Sequence, residues 1–357
     1  MLPDANRSEV RRHFVLLLRA AAVGLVGGSV ANALGVPLAW MLGPLIATAI
    51  ASLSGVRAAV PKQLRTAARG CVGVLLGSAL DEEILARAPQ WPLSIAALVL
   101  GMLAAVTLVA IYFRAIARFD PITAVASSIP GGISSVSVIA IQLGADPQRT
   151  VVSQLMRITL VLLTVPPLYA VWQGVGTTPA EATPADGALL SFGQNMWVLL
   201  LAPVAWFVAK LARLPVPEML GPMVMAAALS LSGIPIALPG WLFAITFLVL
   251  GSAIGSRFHG LTAREFLFLG GHGIVATSIL FAGAFVVALL IHWATDVPLP
   301  VALLSVIPGG IAEMALLATA LGIDPVFVTF HQVVRNICIN TLSPFVLNWM
   351  RKRAEAA

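Results

Sequence analysis

The chain has 357 residues, of which 59% are hydrophobic and 10% are charged, and its mean hydropathy is +0.97. These values lie outside the range of soluble domains and indicate an integral membrane protein. The net charge of +6 could suggest a nucleic-acid partner, but the basic residues are scattered through short segments and the termini. They are interpreted as topology signals, so we expect the lipid bilayer and no nucleic acid as partner.

Apolar segments follow one another along the whole chain. In the first half they lie at 14–34, 38–54, 70–80, 91–113, 122–142 and 151–172, and the second half contains their counterparts. A helix needs about 20 residues to cross a bilayer. The sequence therefore predicts an all-α integral membrane protein.

The sequence is duplicated at a constant offset of 178 residues. Met-Leu-Gly-Pro occurs at 41–44 and 219–222, and Ile-Pro-Gly-Gly-Ile occurs at 129–133 and 307–311. Matched glycine and proline interruptions in apolar segments are typical of transporters that are built from two repeats. We predict a first membrane repeat over 14–172, a periplasmic linker over 173–194 and a second membrane repeat over 195–350.

Charged residues assign each loop to one side of the membrane, because cytoplasmic loops collect Lys and Arg. The linker contains Glu181 and Asp186 but no basic residue, which places it outside. The pattern then requires about five net crossings per repeat, with the Pro-Gly-Gly segments broken or re-entrant. The second repeat has its basic loops at the opposite positions, which predicts inverted topology with both termini cytoplasmic. A parallel repeat with six spans per half is the alternative that the charges disfavour.

The two Pro-Gly-Gly breaks are the strongest local signal for a binding site. Proline removes a backbone donor and glycine weakens a helix, so in lipid such a break persists only where protein or a cavity satisfies the freed groups. Two breaks of opposite orientation would meet near the midplane, where carbonyls can bind cations and helix N-termini can bind anions. A kink that only shapes packing is the alternative. The candidate residues are Pro130, Gly131, Gly132, Ser134 and Ser135 in the first copy and Pro308, Gly309 and Gly310 in the second.

A polar stripe follows each break on the next helix. Gln154 and Arg157 correspond to Gln332 and Arg335, each pair being spaced i, i+3 on one helix face. Because arginine in a membrane segment seldom faces lipid, both should point inward. Either they line a cavity and indicate an anionic substrate, or they cap the broken segments and do not identify the substrate. The second stripe also contains His331 and Asn336.

Glu313 interrupts the symmetry, because its repeat equivalent is Ser135. A carboxylate inside a membrane can carry a coupling proton or ion, or it can pair with Arg335. We favour the coupling role.

Other chemistry has little support in the sequence. Cys71 and Cys338 lie in apolar segments and are not repeat equivalents, and the five histidines are dispersed. We therefore expect no metal, no cofactor and no enzymatic activity. Glycines four residues apart, at 73 and 77 and again at 251 and 255, predict close helix packing within one chain or between protomers of a homodimer.

The duplication, the two Met-Leu-Gly-Pro motifs and the paired Ile-Pro-Gly-Gly motifs together resemble the bacterial AbrB-type membrane protein family, over about residues 14 to 350. The resemblance implies a multi-pass protein of the bacterial inner membrane. Family labels include ammonia monooxygenase, transport protein and regulator of gene expression. Ammonia oxidation would demand a clustered copper or iron site, which the dispersed histidines do not offer.

The sequence thus favours a secondary transporter that moves a small solute by alternating access. An organic anion is the first expectation and an amine or ammonium the second. A membrane scaffold, or an indirect regulator of gene expression without transport, is the competing hypothesis.

Overall fold

The structure is a computed structural model that describes residues 4–80, 91–130, 135–173, 192–234, 236 and 238–355. The described part is helical and contains no strand, which confirms the predicted all-α class. The helices of the first half are α1 (Asp4–Ala33), α2 (Ala39–Leu53), α3 (Lys62–Ser78), α4 (Trp91–Ala115), α5 (Pro121–Ser128), α6 (Ser135–Gln142) and α7 (Pro147–Gln173). Those of the second half are α8 (Phe192–Leu211), α9 (Pro217–Leu231), α10 (Gly240–Gly255), α11 (Ala263–Thr295), α12 (Leu299–Val306), α13 (Ile311–Ala320) and α14 (Pro325–Glu355).

The sequence duplication is reproduced in the backbone. The bounds of α2 and α9 differ by 178 residues at both ends, and so do those of α5 and α12. Left-handed residues repeat as well, including non-glycine ones, which adopt this conformation only at a cost. The equivalent positive-φ pairs are Gly35 and Arg213, Leu38 and Val216, Gly55 and Gly233, Arg118 and Asp296, and Gly144 and Gly322.

In the part of the chain that the structure describes, five helices are long and apolar enough to cross a membrane. They cover His13–Ala33, Trp91–Ala115, Pro147–Tyr169, Gly240–Phe258 and Arg264–Thr295. Shorter apolar helices accompany them at Ala39–Leu53, Trp197–Leu211, Pro217–Leu231 and Ile311–Ala320. The chain is therefore a multi-pass membrane protein, while the inverted orientation of the repeats stays a prediction.

The described helices form two compact units, each of which takes elements from both sequence repeats. The first unit comprises Met1–Glu82, Pro166–Thr262 and Ala315–Gly322, and the second comprises Glu83–Val165, Ala263–Met314 and Ile323–Ala357. The compact units thus cut across the predicted repeat boundaries. Most of the predicted linker, 174–191, lies outside the described residues.

The paired glycines allow two helices of the same chain to pack closely in the first unit. A Cβ at Gly73 would lie 2.2 Å from the carbonyl oxygen of Met219, and one at Gly251 would lie 2.4 Å from that of Met41. Helix α3 therefore lies directly against the backbone of α9, and α10 against that of α2. Each contact joins a helix of one repeat to a helix of the other.

Helix α3 begins earlier than the apolar pattern predicted, at Lys62 rather than near residue 70. Arg69 is therefore helical, and its Nη1 donates to Oε1 of Glu218 at 2.7 Å. Glu218 stands where the first repeat has Trp40 and lies in the first turn of α9, where the helix dipole also favours an acidic group.

Candidate functional site

The first break lies in the second unit, where α5 ends. The carboxylate of Asp120 caps its N-terminus by accepting from Thr123 N at 2.8 Å. Ile129 then adopts an extended conformation (φ −66°, ψ 121°), as expected for a residue before proline, and Pro130 is buried. When the described chain resumes at Ser135, it is in helix α6. Gly131, Gly132 and Ser134 lie outside the described residues, as does the side chain of Ser135.

The second break repeats this geometry. Helix α12 ends at Val306, and Ile307 is extended (φ −55°, ψ 129°) before Pro308. The chain continues through Gly309 and Gly310, and α13 begins at Ile311. The second Pro-Gly-Gly segment therefore interrupts its helix as the sequence predicted. At the first, α5 ends before Pro130, and the glycines lie outside the described residues.

The predicted polar stripes bind the carbonyl groups at these helix ends, and they do so with the symmetry of the repeat. Gln154 Nε2 donates to the carbonyl of Ala126 at 3.1 Å, and Gln332 Nε2 donates to the equivalent Leu304 at 3.2 Å. Gln332 Nε2 also lies within bonding distance of the carbonyl oxygens of Ser305 and Ile307, at 3.3 and 2.9 Å.

The two arginines also donate to carbonyl groups at these helix ends, at equivalent positions of the two repeats. Arg157 Nη1 donates to the carbonyl of Ile129 at 3.2 Å, and Arg335 Nη1 donates to that of Ile307 at 2.9 Å. Arg335 Nη2 adds a 2.9 Å bond to Gly309. The last carbonyls of a helix lack partners within the helix, so these side chains satisfy backbone groups that the proline breaks set free.

Within the described ranges, no carboxylate pairs with either of the two guanidinium groups. Arg157 and Arg335 are 5% and 3% exposed, and no ion pair joins either of them to a carboxylate among the described residues. The two groups lie close enough for their positive charges to repel. Each also keeps a buried Nε without a hydrogen-bond partner. A buried charge of this kind is costly unless something neutralises it.

Both breaks border one small cavity of about 20 Å³ within the second unit, and Arg335 lines it. Its walls are built from residues at equivalent positions of the two repeats. The equivalent lining pairs are Met102 and Leu280, Ala105 and Gly283, Val106 and Ala284, and Pro130 and Pro308. The two breaks thus meet at one place, and the volume suits about one water molecule.

Glu313 lies in the first turn of α13 and is partly buried. Its carboxylate folds back over Gly310, so that Oε2 occupies the space where a Cβ of residue 310 would stand. Arg335 is not its partner among the described ion pairs. The carboxylate lies at a helix N-terminus, where the helix dipole favours negative charge.

His331 is fully buried and turned toward α4. Its Nδ1 donates to the carbonyl of Phe327 at 2.8 Å, and its Nε2 lies 2.8 Å from Oγ of Ser94. The ring of Phe327 is 4.0 Å from the imidazole between centroids. Asn336 accepts from Asn340 at 2.7 Å on a more exposed part of α14. Neither residue lines the cavity between the breaks.

Sequence reasoning missed Ser94 and Ser137. Ser137 Oγ donates to Gln154 Oε1 at 3.3 Å and so orients that amide toward α5. Ser94 had one signal in the sequence, because its repeat equivalent is His272 and that of His331 is Ser153. Serine in the first repeat is therefore replaced by histidine in the second. The first repeat has serine at both positions, Ser94 and Ser153, and the second has histidine at both, His272 and His331.

The fold and the site define a class: a duplicated, multi-pass α-helical membrane protein in which two helix breaks border a common cavity. The chain belongs to the AbrB family, since residues 40–351 match the family described as "Transition state regulatory protein AbrB". This confirms the resemblance drawn from the motifs.

Two relatives match over most of their length. The chain is 28% identical over 353 residues to a Bacillus subtilis (strain 168) protein named "Uncharacterized protein YhjN", with 90% of each chain covered. It is 27% identical over 340 residues to the Escherichia coli (strain K12) protein named "Putative regulator AbrB", with 89% of this chain and 91% of the relative covered. These names carry no substrate.

Proposed function

We propose that the protein is a secondary transporter of the inner membrane that moves a small anionic solute by alternating access. One observation carries the proposal: two buried arginines, with no carboxylate partner among the described residues, stand at two helix breaks that border the same cavity. Intramembrane charges are rare and mark substrate or ion pathways. Broken helices at a repeat interface are the usual place of such sites in transporters.

The chemistry of the site favours an anion over an amine. Two positive charges that repel one another are stabilised by a negative charge between them, whereas an ammonium would add a third positive charge. The guanidinium group also presents several donors in a plane, which suits a carboxylate. The unpartnered Nε groups of Arg157 and Arg335 are donors that a carboxylate could use.

The small size of the cavity implies that binding requires movement. A space of about 20 Å³ admits roughly a water molecule, and an organic anion needs more. In alternating access one repeat or helix bundle moves against another around the site. The described conformation then corresponds to a closed state of the cycle.

A scaffold or indirect regulator is the second candidate, and one observation favours it. The carbonyls that accept from the Gln and Arg side chains at the breaks are capped already, so the breaks are stable without a ligand. One relative carries the name of a regulator. Under this hypothesis no anion binds, and the effect on gene expression comes from a protein contact.

The topology completes the proposal. Both termini lie in the cytoplasm, the two repeats are inverted, and Glu313 carries the coupling proton or ion. No step in this scheme makes or breaks a covalent bond in the solute, so the protein is not an enzyme.

Thermal unfolding of the detergent-purified full chain tests the proposal. The ligands are formate, acetate, lactate, succinate, methylammonium, ammonium and sodium, each with wild type and Arg335→Ala. A ligand present at 100 times its dissociation constant stabilises the folded protein by about 2.7 kcal/mol. We expect stabilisation by carboxylates that is lost in the variant.

Arg264→Ala is the matched control, because Arg264 is an exposed arginine of the same unit at the start of α11. It should retain the response to carboxylates. Stabilisation by methylammonium instead of carboxylates would reverse the charge assignment. An absence of response to every compound would favour the scaffold.

A further inference from the structure

A second cavity of about 490 Å³ lies in the second unit, as a groove between α4, α5 and α14. This volume falls within the range of small-molecule sites, roughly 300–1,000 Å³. Its lining is almost entirely apolar, and much of it is exposed: Leu103 is 46% exposed, Ile111 58% and Val346 43%. In a membrane protein such a surface contacts lipid.

The groove has the length of one bilayer leaflet. Along α4 its lining runs from Met102 to Arg114, which at 1.5 Å per residue is about 18 Å. Along α14 it runs from Ile339 to Met350, which is about 16 Å by the same rise. Half of a hydrocarbon core of about 30 Å is about 15 Å. Both walls therefore fit one extended acyl chain.

Positive charge is concentrated at one end of the groove. Arg114 is the lining residue in the last turn of α4, and it is exposed. Lys352 and Arg353 occupy the last turn of α14, just beyond the lining residue Met350. Glu355 follows Arg353 by two residues, so the end of α14 carries both signs with basic residues in excess. Asp120, six residues after Arg114, already caps α5. Arg353 stacks on Trp349 at 4.3 Å, and a half-exposed Trp is typical of the membrane interface.

We propose that this groove binds one anionic phospholipid of the cytoplasmic leaflet, with an acyl chain along α4 and α14 and the headgroup at Arg114. The side of the membrane rests on the proposed topology, which places the C-terminal ends of both helices in the cytoplasm. Anionic lipids attract basic residues at that surface. The deep end of the groove contacts Ile129, whose carbonyl accepts from Arg157, so the bound chain lies against the first break.

Native mass spectrometry of the delipidated full chain tests the proposal with dioleoyl phosphatidylglycerol and dioleoyl phosphatidylcholine. These lipids have the same chains and differ in headgroup charge. We expect one tightly retained phosphatidylglycerol per chain and weaker retention of phosphatidylcholine. Because a basic residue near an anionic lipid contributes about 1 kcal/mol, Arg114→Gln should weaken retention roughly fivefold. The exposed control Arg264→Gln should retain the lipid as wild type does.

A substitution that fills the groove tests the proposal independently of charge. Ala110 lines it and is partly exposed, so Ala110→Phe should exclude the chain while Ala110→Ser leaves binding intact. Thermal unfolding without lipid checks that each variant folds. Equal retention of both lipids, or unchanged retention in Arg114→Gln, would overturn the proposal. Displacement by glycerol 3-phosphate would also overturn it, since that result places the affinity in the headgroup alone.

Discussion

Arg335 donates a 2.9 Å hydrogen bond from Nη2 to the carbonyl of Gly309, beyond the proline that interrupts the helix. The same guanidinium reaches Ile307 on the other side of that proline. One planar group therefore spans the break, and its charge is not neutralised by a carboxylate in the described part of the chain. This arrangement gives the residue a structural role whether or not it also binds a solute.

The first prediction separates these roles. Arg335→Ala removes a donor from the buried carbonyl of Ile307 and from the partly buried carbonyl of Gly309, which should cost about 1–3 kcal/mol. Arg335→Lys keeps the charge, but a single ammonium lacks the planar fork, so we expect intermediate stability. Thermal unfolding in one detergent measures both variants. Equal stability of the wild type and Arg335→Ala would contradict the bridging role.

A second prediction concerns the two glutamines. Gln332 Nε2 faces three carbonyls, whereas Gln154 Nε2 donates to one. Replacement by leucine removes the donor with little change in size, so Gln332→Leu should destabilise more than Gln154→Leu. An unsatisfied buried acceptor costs about 1–3 kcal/mol. The loss of unfolding free energy in Gln332→Leu should therefore exceed that in Gln154→Leu by an amount in this range. Denaturant unfolding of both variants gives the comparison, and the reverse order would show that the second break is satisfied in another way.

A third prediction tests the packing of α3 against α9. An added Cβ at Gly73 would meet the backbone of Met219 at 2.2 Å, so Gly73→Ala forces the helices apart and should cost about 1–3 kcal/mol. Gly70 lies one turn earlier on the same helix, and the nearest atom to its Cβ would be 3.6 Å away. Gly70→Ala should be neutral or stabilise by up to about 1 kcal/mol. Similar melting temperatures for the two variants would argue against the close contact.

A fourth prediction addresses coupling. In proteoliposomes that contain a pH-sensitive dye, a gradient of the carboxylate found by thermal unfolding should drive proton movement in the wild type. Glu313→Gln cannot release a proton, so we expect the solute to move without a pH change. Glu218→Gln, at an acidic residue in the first turn of α9, is the control and should keep coupling. Retained proton movement in Glu313→Gln would assign coupling to another group.

The sequence was sufficient for the order of the helices and for the breaks. Apolar runs, proline and glycine act locally, so the sequence alone indicates that α5 and α12 end just before Pro130 and Pro308; they end at Ser128 and Val306. The start of α3 was missed because basic residues in its first turns are typical of a loop.

The contacts of the site were beyond the sequence. That Arg335 reaches the carbonyl of Gly309 depends on how α14 packs against α12, and a backbone acceptor has no signature in a sequence. The spacing identified Gln332 and Arg335 as inward-facing but left their partners open. The division into two units was also missed, because the repeat boundaries describe the ancestry of the chain and not the packing of its helices.

The contact between α3 and α9 also has a consequence for synthesis in the cell. Arg69 and Glu218 are 149 residues apart, so the partner surface for α3 is made long after α3 itself. At about 5–20 residues per second, the ribosome needs roughly 7–30 s to reach it. During that time the glycine face of α3 has no partner helix, and lipid or a membrane chaperone must cover it. The first repeat is thus inserted before it can fold, and the protein matures only when the second repeat arrives.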